Sequence, residues 1–367
     1  MNTPARRLRV LVVDDSAVVR KAITDSLSRD PEIEVVGSAC DPYVAREKIV
    51  RLEPDVLTLD LEMPRMDGLT FLRILMKHNP MPVVVVSSLT QAGSRAAMEA
   101  MEAGAMDVLA KPDGTMSIGG LGERLAFHVK AAAAAGRWRR SVASPPACDA
   151  VASTASVDAV PLPPPSGPVD GRGLIVIGCS TGGLEALRVI LQRLPAWMPP
   201  IAVVQHISGY FSRIVAERLD AVSPLDVREA EDGAILRPGT CLIAPGEHHL
   251  AIERHQQGYR ARLLTSPPLH HCRPAVDVLF RSAAESAGPH AVAALLTGMG
   301  SDGALGMASI HQAGGLTIAE HESTCVVYGM PRAAVDMGVV DRVLPLPEIA
   351  GAIMHAAVSG PGRPRPQ

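Results

Sequence analysis

The sequence predicts an α/β protein with two units, each built on a mostly parallel sheet. Short β-branched runs such as RVLVVDD and PVVVVSS alternate with longer helical stretches such as SAVVRKAITDSLSR. Strands separated by helices of this length are typical of βαβ units, whose parallel sheets are covered on both faces. The chain has 367 residues, more than one ordinary core uses, and 47% are apolar while only 3% are aromatic. Two cores made of aliphatic side chains and methionine are therefore expected.

A segment rich in Pro, Ser and Ala separates the two units. It runs from Ser141 to Arg172 and has almost no large apolar side chain, so it cannot bury enough surface to fold by itself. Before it, AFHVKAAAAAGRWRR has strong helix formers followed by Gly and basic residues, as at the end of a last helix. We predict a first domain over residues 1–130, a linker over 131–171, a second domain over 172–358 and a disordered tail over 359–367.

Composition and charge exclude several classes of protein. The 35 basic and 38 acidic residues give a formal charge of -3, so the chain lacks the basic field of a nucleic-acid-binding protein. The six cysteines are scattered without a CxxC pair and no charged-then-apolar leader opens the chain, which indicates a reducing compartment and no disulfides. Apolar runs are far shorter than the roughly 20 residues that span a bilayer. We therefore expect a cytoplasmic protein that neither binds DNA nor inserts into a membrane.

Acidic side chains gather at the strand ends of the first domain, where parallel sheets bind their ligands. One strand ends in Asp14 and Asp15 and a later one in Asp60, while Ser87 and Lys111 end two further strands. Three carboxylates at one edge repel each other unless a cation lies among them, and oxygen ligands suit Mg²⁺. An Asp beside Mg²⁺ can attack a phosphoryl group, whose oxygens a hydroxyl and an ammonium then bind. Any one of these acids alone is more often a helix cap or a solvated side chain, so the prediction depends on the set.

In the second domain a serine lies between glycines in GCSTG, Gly178 to Gly182, directly after the apolar run LIVI. This GxSxG pattern turns a strand sharply into a helix and exposes the serine hydroxyl, here Ser180, at the sheet edge. The amides at the start of the next helix then face negative charge that develops beside it. Two alternatives remain open: a degraded dinucleotide-binding turn, although GxGxxG is not satisfied, and a serine that only caps the helix.

A serine nucleophile needs a base and a group that orients the base. His206 ends the predicted strand IAVVQH, and Asp302 lies in the glycine-rich loop that follows the strand AVAALLTG. The order Ser, His, Asp along the chain differs from that of the α/β-hydrolases, but a triad is defined by its geometry. These three residues are therefore the candidate catalytic set.

Other histidines do not indicate a metal site. The pairs His248–His249 and His270–His271 lie near Cys272, yet neither pair has the ligand spacing of a zinc site and no cysteine pair accompanies them. We expect no metal or other cofactor in this domain. The segment LHHCRPAVDVLF is interpreted as a loop and helix that shape the substrate cleft, where Arg273 serves structure or recognition.

Over the first third of the chain, the motifs VLVVDDS, DVLTLDLEMPRMDGL, VVVVSSLT and GAMDVLAKP together resemble the receiver domain of two-component response regulators. The resemblance implies a flavodoxin-like, five-stranded parallel sheet that binds Mg²⁺ and is phosphorylated by a chemotaxis histidine kinase. It also implies residue roles: the phosphoacceptor is Asp60, the metal ligands are Asp14, Asp15, Asp60 and the backbone of Glu62, and the phosphoryl-binding residues are Ser87 and Lys111.

After the linker, IGCSTGGLEAL, VVQHI, HCRPAVDVLFRSAA, LLTGMGSDGA and VVYGMPRAA resemble the catalytic domain of the chemotaxis protein-glutamate methylesterases, the CheB family. Joined to a receiver, the likeness covers almost the whole chain and implies a doubly wound α/β catalytic domain. It implies that Ser180 is the nucleophile, His206 the base and Asp302 the orienting acid. It places the oxyanion hole at the backbone amides of Thr181 and Met299.

The same resemblance implies an enzyme that releases methanol from glutamate methyl esters of chemoreceptors and deamidates receptor glutamine. We expect a monomer whose unphosphorylated receiver lies across the mouth of the catalytic domain and moves on phosphorylation. The sequence departs from the family pattern after His206, where it reads ISGYF, and at Glu320 and His321, near the expected cleft entrance. Two alternatives stay open: a member that serves a non-chemotaxis pathway with another ester, and a regulator that acts by binding a partner.

Overall fold

A computed structural model of the chain describes residues 6–87, 91–111, 125–135, 172–207, 209–256, 258–270 and 272–359. At positions 91–94, 210 and 359 only the backbone is described. Residues 136–171 of the predicted linker and residues 360–367 of the predicted tail lie outside the described residues. Both segments therefore stay predictions.

The first part of the chain forms a five-stranded parallel sheet, as predicted. The strand order is β2-β1-β3-β4-β5, and every neighbouring pair runs parallel. The elements are β1 (Leu8–Val13), α1 (Ala17–Leu27), β2 (Ile33–Ala39), α2 (Pro42–Leu52), β3 (Val56–Leu59), α3 (Gly68–His78), β4 (Val83–Ser87), α4 (Gln91–Glu102) and β5 (Asp107–Ala110).

Alternate side chains of these strands enter two cores on opposite faces of the sheet. Leu11 and Val13 of β1 pack with buried residues of α2, α3 and α4, whereas Val10 and Val12 pack with α1 and with the helix at residues 125–135. Helices therefore cover both faces, which is why the central strands β3 and β4 are buried along their whole length.

Short polar side chains fix where the first helices begin. Ser16, Asp41 and Asp67 each accept a hydrogen bond from a backbone amide in the first turn of α1, α2 and α3. Such an N-cap stabilises a helix by about 1 kcal/mol. Because α1 begins directly after Asp14 and Asp15, both carboxylates stay at the carboxyl edge of the sheet.

Residues 125–135 form a further helix, α5, which crosses the predicted domain boundary at residue 130. Four of the five alanines at 131–135 are buried, so these residues belong to the first domain and not to the linker. The predicted boundary at residue 130 therefore lies inside α5, the last helix that AFHVKAAAAAGRWRR predicts. Alanine has the highest helix propensity, and a helix of alanines can pack closely without large side chains.

The second part forms a seven-stranded parallel sheet in the order β15-β14-β13-β6-β7-β10-β8. The chain builds outward from β6 first on one side and then, from β13, on the other, so the doubly wound prediction is confirmed. The elements are β6 (Leu174–Cys179), α6 (Gly183–Leu191), β7 (Ile201–Gln205), α7 (Gly209–Asp220), β8 (Asp226–Glu229), β9 (Ile235–Leu236), β10 (Thr240–Ile243), β11 (His249–His255), β12 (Gly258–Leu264), α8 (Val276–Ala287), β13 (Ala291–Leu295), α9 (Ala304–Gln312), β14 (Leu316–Glu320), α10 (Met330–Asp336), β15 (Arg342–Leu344) and α11 (Leu346–Ser359).

A small antiparallel sheet, ordered β11-β12-β9, was not predicted from the sequence. Leu250 and Ile252 of β11 and Tyr259 and Ala261 of β12 are buried, while the residues between them are less so. This alternation is the signal of a half-buried strand, but it lacks a turn such as Asn-Gly to mark the hairpin. No helix in the described part of the chain has the length and apolar content needed to cross a bilayer.

Candidate active site and phosphoryl pocket

Ser180 lies in the turn between β6 and α6, where the strand order reverses between β6 and β13. Its amide donates to Thr297 O at 2.9 Å and its carbonyl accepts from Gly183 N at 2.7 Å, so both sides of the turn are fixed. Gly182 has a φ of +82°, and a Cβ on Gly183 would lie 2.2 Å from Gln205 Oε1. Glycine is therefore required at both positions of this sharp turn.

His206 follows β7 and Asp302 lies between β13 and α9, so both reach the same edge of the sheet as Ser180. His206 Nε2 lies 2.7 Å from Asp302 Oδ2, and both side chains are almost fully buried. The imidazole nitrogen left to accept a proton is therefore Nδ1. Cys272 Sγ lies 3.7 Å from that Nδ1.

The Ser180 hydroxyl is buried and has no hydrogen-bond partner among the described residues. Buried hydroxyls are normally bonded, so a buried hydroxyl without a protein partner is a candidate for a functional role. Ser180 and His206 line the same small cavity. A free hydroxyl beside a histidine that an aspartate holds is the arrangement of an activated serine nucleophile.

Asp302 stays ionised although it is buried. Burial alone would raise its pKa, but His206 and the amides of Asp277 and Val276 outweigh burial and hold the pKa below its ordinary value. The two amides donate to Asp302 Oδ1 at 2.9 Å and to Oδ2 at 2.8 Å. A carboxylate fixed from two sides can hold the imidazole in one orientation.

His206 has a pKa well above its usual value. Burial lowers the pKa, but the Cys272 thiol and the Asp302 carboxylate outweigh burial and favour the protonated imidazole. Both neighbours therefore favour the charged form of His206, whereas a group that takes a proton from Ser180 has to be neutral.

The loop after β13 packs directly against Ser180. A Cβ on Gly298 would lie 2.7 Å from Ser180 Cβ, and Thr297 Oγ1 donates to Thr181 O at 2.9 Å. Within the described part of the chain, the amides of Thr181 and Met299 donate to no acceptor. Two backbone donors are therefore available near the serine, one from its own turn and one from the adjoining loop.

At the first sheet, acidic side chains meet around one lysine. One carboxylate oxygen from each of Asp14, Asp15 and Asp60 lies within 4.8 Å of the other two. Lys111 Nζ lies 2.9 Å from Asp14 Oδ2 and 2.7 Å from Asp60 Oδ2, and the Glu62 amide donates to Asp60 Oδ1 at 3.2 Å. A set of hard carboxylate oxygens on the edge of a sheet fits Mg²⁺.

This pocket holds more negative than positive charge, as the pKa shifts of its residues indicate. Burial raises the pKa of Asp60 above its ordinary value, and the nearby Asp14 adds to this, although Lys111 opposes both. Burial lowers the pKa of Lys111, but its bonds to Asp14 and Asp60 raise that pKa further than burial lowers it. Three carboxylates share one ammonium, so a divalent cation would balance the pocket. Ser87, at the end of β4, is fully buried.

Part of the first unit covers the serine. The small cavity is lined from the second sheet by Ser180, Thr181 and His206, and from the first unit by Met98, Met101 and Met106. α4 packs on α7 beside the cavity, and Glu102 forms an ion pair with Arg218 across this contact. In this arrangement a large substrate cannot reach Ser180.

Two family models match the chain. The CheB methylesterase model matches residues 175–353, and the response regulator receiver domain model matches residues 10–118. A protein-glutamate methylesterase/protein-glutamine glutaminase of Syntrophus aciditrophicus is 47% identical over 352 residues, which are 95% of this chain and 99% of the relative. The chain belongs to the CheB methylesterase family. The two resemblances inferred from the sequence, and the enzyme class that they imply, are confirmed.

A second relative matches over a similar length, and a solved catalytic domain matches half of the chain. A protein-glutamate methylesterase/protein-glutamine glutaminase of Anaeromyxobacter dehalogenans is 48% identical over 359 residues, 96% of each chain. The solved CheB methylesterase catalytic domain of Thermotoga maritima is 41% identical and covers 50% of this chain and 97% of that domain, with a TM-score of 0.49.

Sequence reasoning missed three residues that support the site of this CheB family member. Gln205 Nε2 donates to Ser180 O at 2.9 Å, Cys272 contacts His206, and Asp277 caps the helix that follows Asp302. The available signals were weak: Gln205 directly precedes the candidate base, and Cys272 was considered only as a metal ligand. Asp277 sits in an ordinary amphipathic helix pattern.

The departure from the CheB pattern at Glu320 does not lie at the cleft entrance, where the sequence analysis placed it. Glu320 ends β14, is fully buried, and accepts from Thr297 N at 2.8 Å. Burial raises its pKa above the ordinary value. Because Thr297 O accepts from Ser180 N, this carboxyl supports the serine turn from behind rather than selecting substrates.

The histidines near Cys272 have structural partners. His249 is buried, its Nδ1 accepts from Ala275 N at 3.1 Å, and its Nε2 lies 3.1 Å from Pro267 O. One atom each of His270, Asp277 and Asp302 lies within 4.8 Å of the others. Both carboxylates accept from backbone amides, and Asp302 also contacts His206 Nε2. His271 lies outside the described residues.

Proposed function

We propose that this chain hydrolyses glutamate methyl esters on chemoreceptors through Ser180, His206 and Asp302, and that phosphorylation of Asp60 activates it. The observation that carries the proposal is the buried His206–Asp302 pair at 2.7 Å beside a Ser180 hydroxyl that has no other partner among the described residues. The names of the relatives, protein-glutamate methylesterase/protein-glutamine glutaminase, supply the substrate class. We assign the chemistry to residues 172–358.

In the first half of the reaction, neutral His206 takes the proton from Ser180 Oγ as this oxygen attacks the ester carbonyl carbon. The negative charge of the tetrahedral intermediate is stabilised by the amides of Thr181 and Met299, and in comparable sites the loss of one such donor slows the reaction by about 10²–10³-fold. When the intermediate collapses, the leaving methoxide takes the proton from His206 and departs as methanol. Asp302 stabilises the imidazolium throughout.

In the second half, His206 takes a proton from water, whose oxygen attacks the acyl carbon. Ser180 Oγ recovers its proton from His206, and the product leaves as the glutamate carboxylic acid, which loses its remaining proton to solvent. A glutamine side chain would form the same acyl-enzyme with ammonia as the leaving group, so we propose deamidation as a second activity. Ammonia release from a receptor with Gln at the modified position tests this second activity.

The acidic pocket is the proposed regulatory input. Asp14, Asp15, Asp60 and the backbone of Glu62 would hold Mg²⁺, which when bound supplies the positive charge that three carboxylates and a phosphoryl group require. Asp60 is the proposed acceptor of a phosphoryl group from a chemotaxis histidine kinase. Ser87 and Lys111 would then bind the phosphoryl oxygens, so Lys111 would exchange its bond to Asp60 for one to the new group.

The methionine side chains over Ser180 suggest how phosphorylation acts. Met98 and Met101 lie on α4, the helix that follows β4 and Ser87. We propose that binding of the phosphoryl group at Ser87 repacks this side of the receiver and uncovers Ser180, which is a two-state element biased by a ligand. The working form is a cytoplasmic monomer that meets the receptor only when uncovered.

Methanol release from methyl-labelled chemoreceptor membranes tests the proposal, with a small phosphodonor and Mg²⁺ present. The wild-type chain should release methanol, and Ser180→Ala should lower the rate by about 10⁴-fold or more, as for other serine nucleophiles. Ser309→Ala is the matched control, because this half-buried serine donates only within α9, to Leu305 O. It should react at the wild-type rate.

Two other outcomes would redirect the proposal. Release by wild type and by Ser180→Ala alike would remove Ser180 as the nucleophile. Release by neither, together with labelling of wild type by a serine-directed fluorophosphonate, would indicate another ester; no labelling would indicate a partner-binding output.

A further inference from the structure

The N-termini of α8 and α9 are each capped by a carboxylate from the other segment: Asp302 caps α8, and Asp277 caps α9. Neither helix has a side-chain cap from its own N-cap residue, which is Ala275 for α8 and Gly303 for α9. Asp302, in the loop before α9, instead accepts from the amides of Val276 and Asp277 in the first turn of α8, at 2.8 and 2.9 Å. The orienting acid of the proposed triad is thus also the cap of a neighbouring helix.

Asp277 makes the reciprocal contact. Its Oδ1 accepts from Gly303 N at 3.0 Å and from Gly306 N at 2.7 Å, the N-cap and a first-turn residue of α9. Asp277 is fully buried, and Arg281 lies 3.7 Å from its Oδ2. Each carboxylate therefore lies at the positive end of the other's helix and satisfies amides that have no partner within it.

The second carboxylate oxygen of Asp277 contacts the loop on the Nδ1 side of His206. His270 Nε2 lies 3.1 Å from Asp277 Oδ2. His270 sits in a tight turn that Leu269 and Cys272 close with two backbone hydrogen bonds, and Cys272 Sγ lies 3.7 Å from His206 Nδ1. Asp277 thus connects the loop that holds Nε2 of the imidazole with the loop that contacts Nδ1.

From these contacts we infer that Asp277 is a positioning residue for the hydrolysis, acting through Asp302 to set the orientation of His206. The inference rests on the proposed serine mechanism. Without the Asp277 carboxylate, the amides of Gly303 and Gly306 lose their acceptor and the start of α9 is no longer tied to α8. Asp302 then shifts relative to the imidazole, and a displacement of about 1 Å in a reacting group can slow catalysis by about 10²-fold.

The test compares variants of the full-length chain with phosphodonor and Mg²⁺ present. The variants are Asp277→Ala, Asp277→Asn, Asp302→Ala and the double variant Asp277→Ala/Asp302→Ala. The control is Asp341→Ala, since Asp341 also accepts from a backbone amide, that of Thr317 at 2.9 Å, at the far edge of the sheet. Two rates are measured for each: labelling of Ser180 by a fluorophosphonate, and kcat and KM for methanol release.

We expect Asp277→Ala to lower kcat and the labelling rate by about 10²-fold with little change in KM. Asp277→Asn should stay within a few-fold of wild type, because its amide oxygen can accept from the amides of Gly303 and Gly306 as the carboxylate does. In the Asp302→Ala background, Asp277→Ala should cost nothing more, since residues that act through one another are not additive. Asp341→Ala should keep the wild-type kcat.

Several results would overturn the inference. They are an unchanged labelling rate in Asp277→Ala, a full additional loss in the double variant, or the same loss of kcat in Asp341→Ala, which would indicate general destabilisation. If the wild-type chain itself is not labelled, the proposed nucleophile fails and the inference fails with it. The wild-type rate thus separates failure of the proposed function from failure of the role of Asp277.

Discussion

Asp60 and Asp302 both lie at the carboxyl edge of a parallel sheet and both are buried, yet their surroundings give them opposite pKa shifts. Burial raises the pKa of Asp60 beyond what Lys111 can offset, and the neighbouring Asp14 adds to the rise. For Asp302, bonds from His206 and two backbone amides exceed the effect of burial and lower the pKa. The two carboxylates therefore differ in how fully their charge is already satisfied.

In the proposed function, this difference separates a reacting carboxylate, Asp60, from an orienting one, Asp302. The charge of Asp60 is poorly satisfied beside two other acids, so a bound cation or conversion to an acyl phosphate would stabilise it. Asp302 has three hydrogen-bond contacts, from His206 and from two backbone amides. These contacts stabilise its charge and fix its position. A strand-end aspartate alone does not indicate its role; the donors around it do.

The largest expected effect comes from removing the charge that orients the base. Asp302→Asn should lower kcat for ester hydrolysis by about 10⁴-fold, because the amide cannot stabilise protonated His206 and favours the wrong tautomer, as in serine proteases. Steady-state methanol release measures the effect, with Asp341→Asn as the control that should react like wild type. A loss of less than tenfold would mean that His206 is oriented by other contacts.

The same comparison explains what the sequence could predict. The sequence predicted which residues meet at the two sheet edges, because the carboxyl ends of parallel strands lie at one edge whatever their side chains are. The supports of Asp302 were not predicted, because Val276 and Asp277 donate backbone amides that any residue could supply. The charged hairpin β11-β12 was also missed, since it lacks the long apolar runs on which the strand predictions relied.

A smaller effect is expected from removing the proposed phosphoacceptor. Asp60→Asn should take no label from a phosphodonor. Its hydrolysis rate should equal that of the unphosphorylated chain, about 5- to 150-fold below that of phosphorylated wild type. Asp67→Asn is the control, because Asp67 is an exposed cap of α3 in the same loop and Asn caps helices equally well. Labelling that persists in Asp60→Asn would place the acceptor elsewhere.

The two sites should also respond to pH for different reasons. The pKa of His206 is raised, so kcat/KM for hydrolysis should increase as the pH rises through a value above about 6.5 and the imidazole loses its proton. The stabilisation from the His206–Asp302 pair is complete below about pH 6.5 and is lost as the pH rises through the folded pKa. Activity and the free energy of unfolding should therefore change in opposite directions over this range.

Cys272→Ala sharpens this pH prediction, because the thiol group is one of the two neighbours that raise the pKa of His206. The midpoint of the pH–rate profile should move to lower pH in the variant while the plateau rate stays within a few-fold. An unchanged midpoint would assign the shift to Asp302 alone. For Asp60, whose pKa is raised by burial, phosphoryl labelling should likewise increase as the pH rises and the carboxyl group ionises.

The smallest expected effect concerns the contact that joins the two regions. Glu102→Gln removes the ion pair with Arg218 between α4 and α7. The Glu102 side chain is 68% exposed and the Arg218 side chain is 37% exposed. An exposed pair contributes about 0.2–1 kcal/mol, so the unphosphorylated chain should hydrolyse the ester less than about fivefold faster, and the gain should vanish at high salt. Glu217→Gln is the matched control, since Glu217 pairs with Arg213 on the same helix α7 without reaching α4. An equal gain in both variants would show that general surface charge, and not this contact, sets the basal rate.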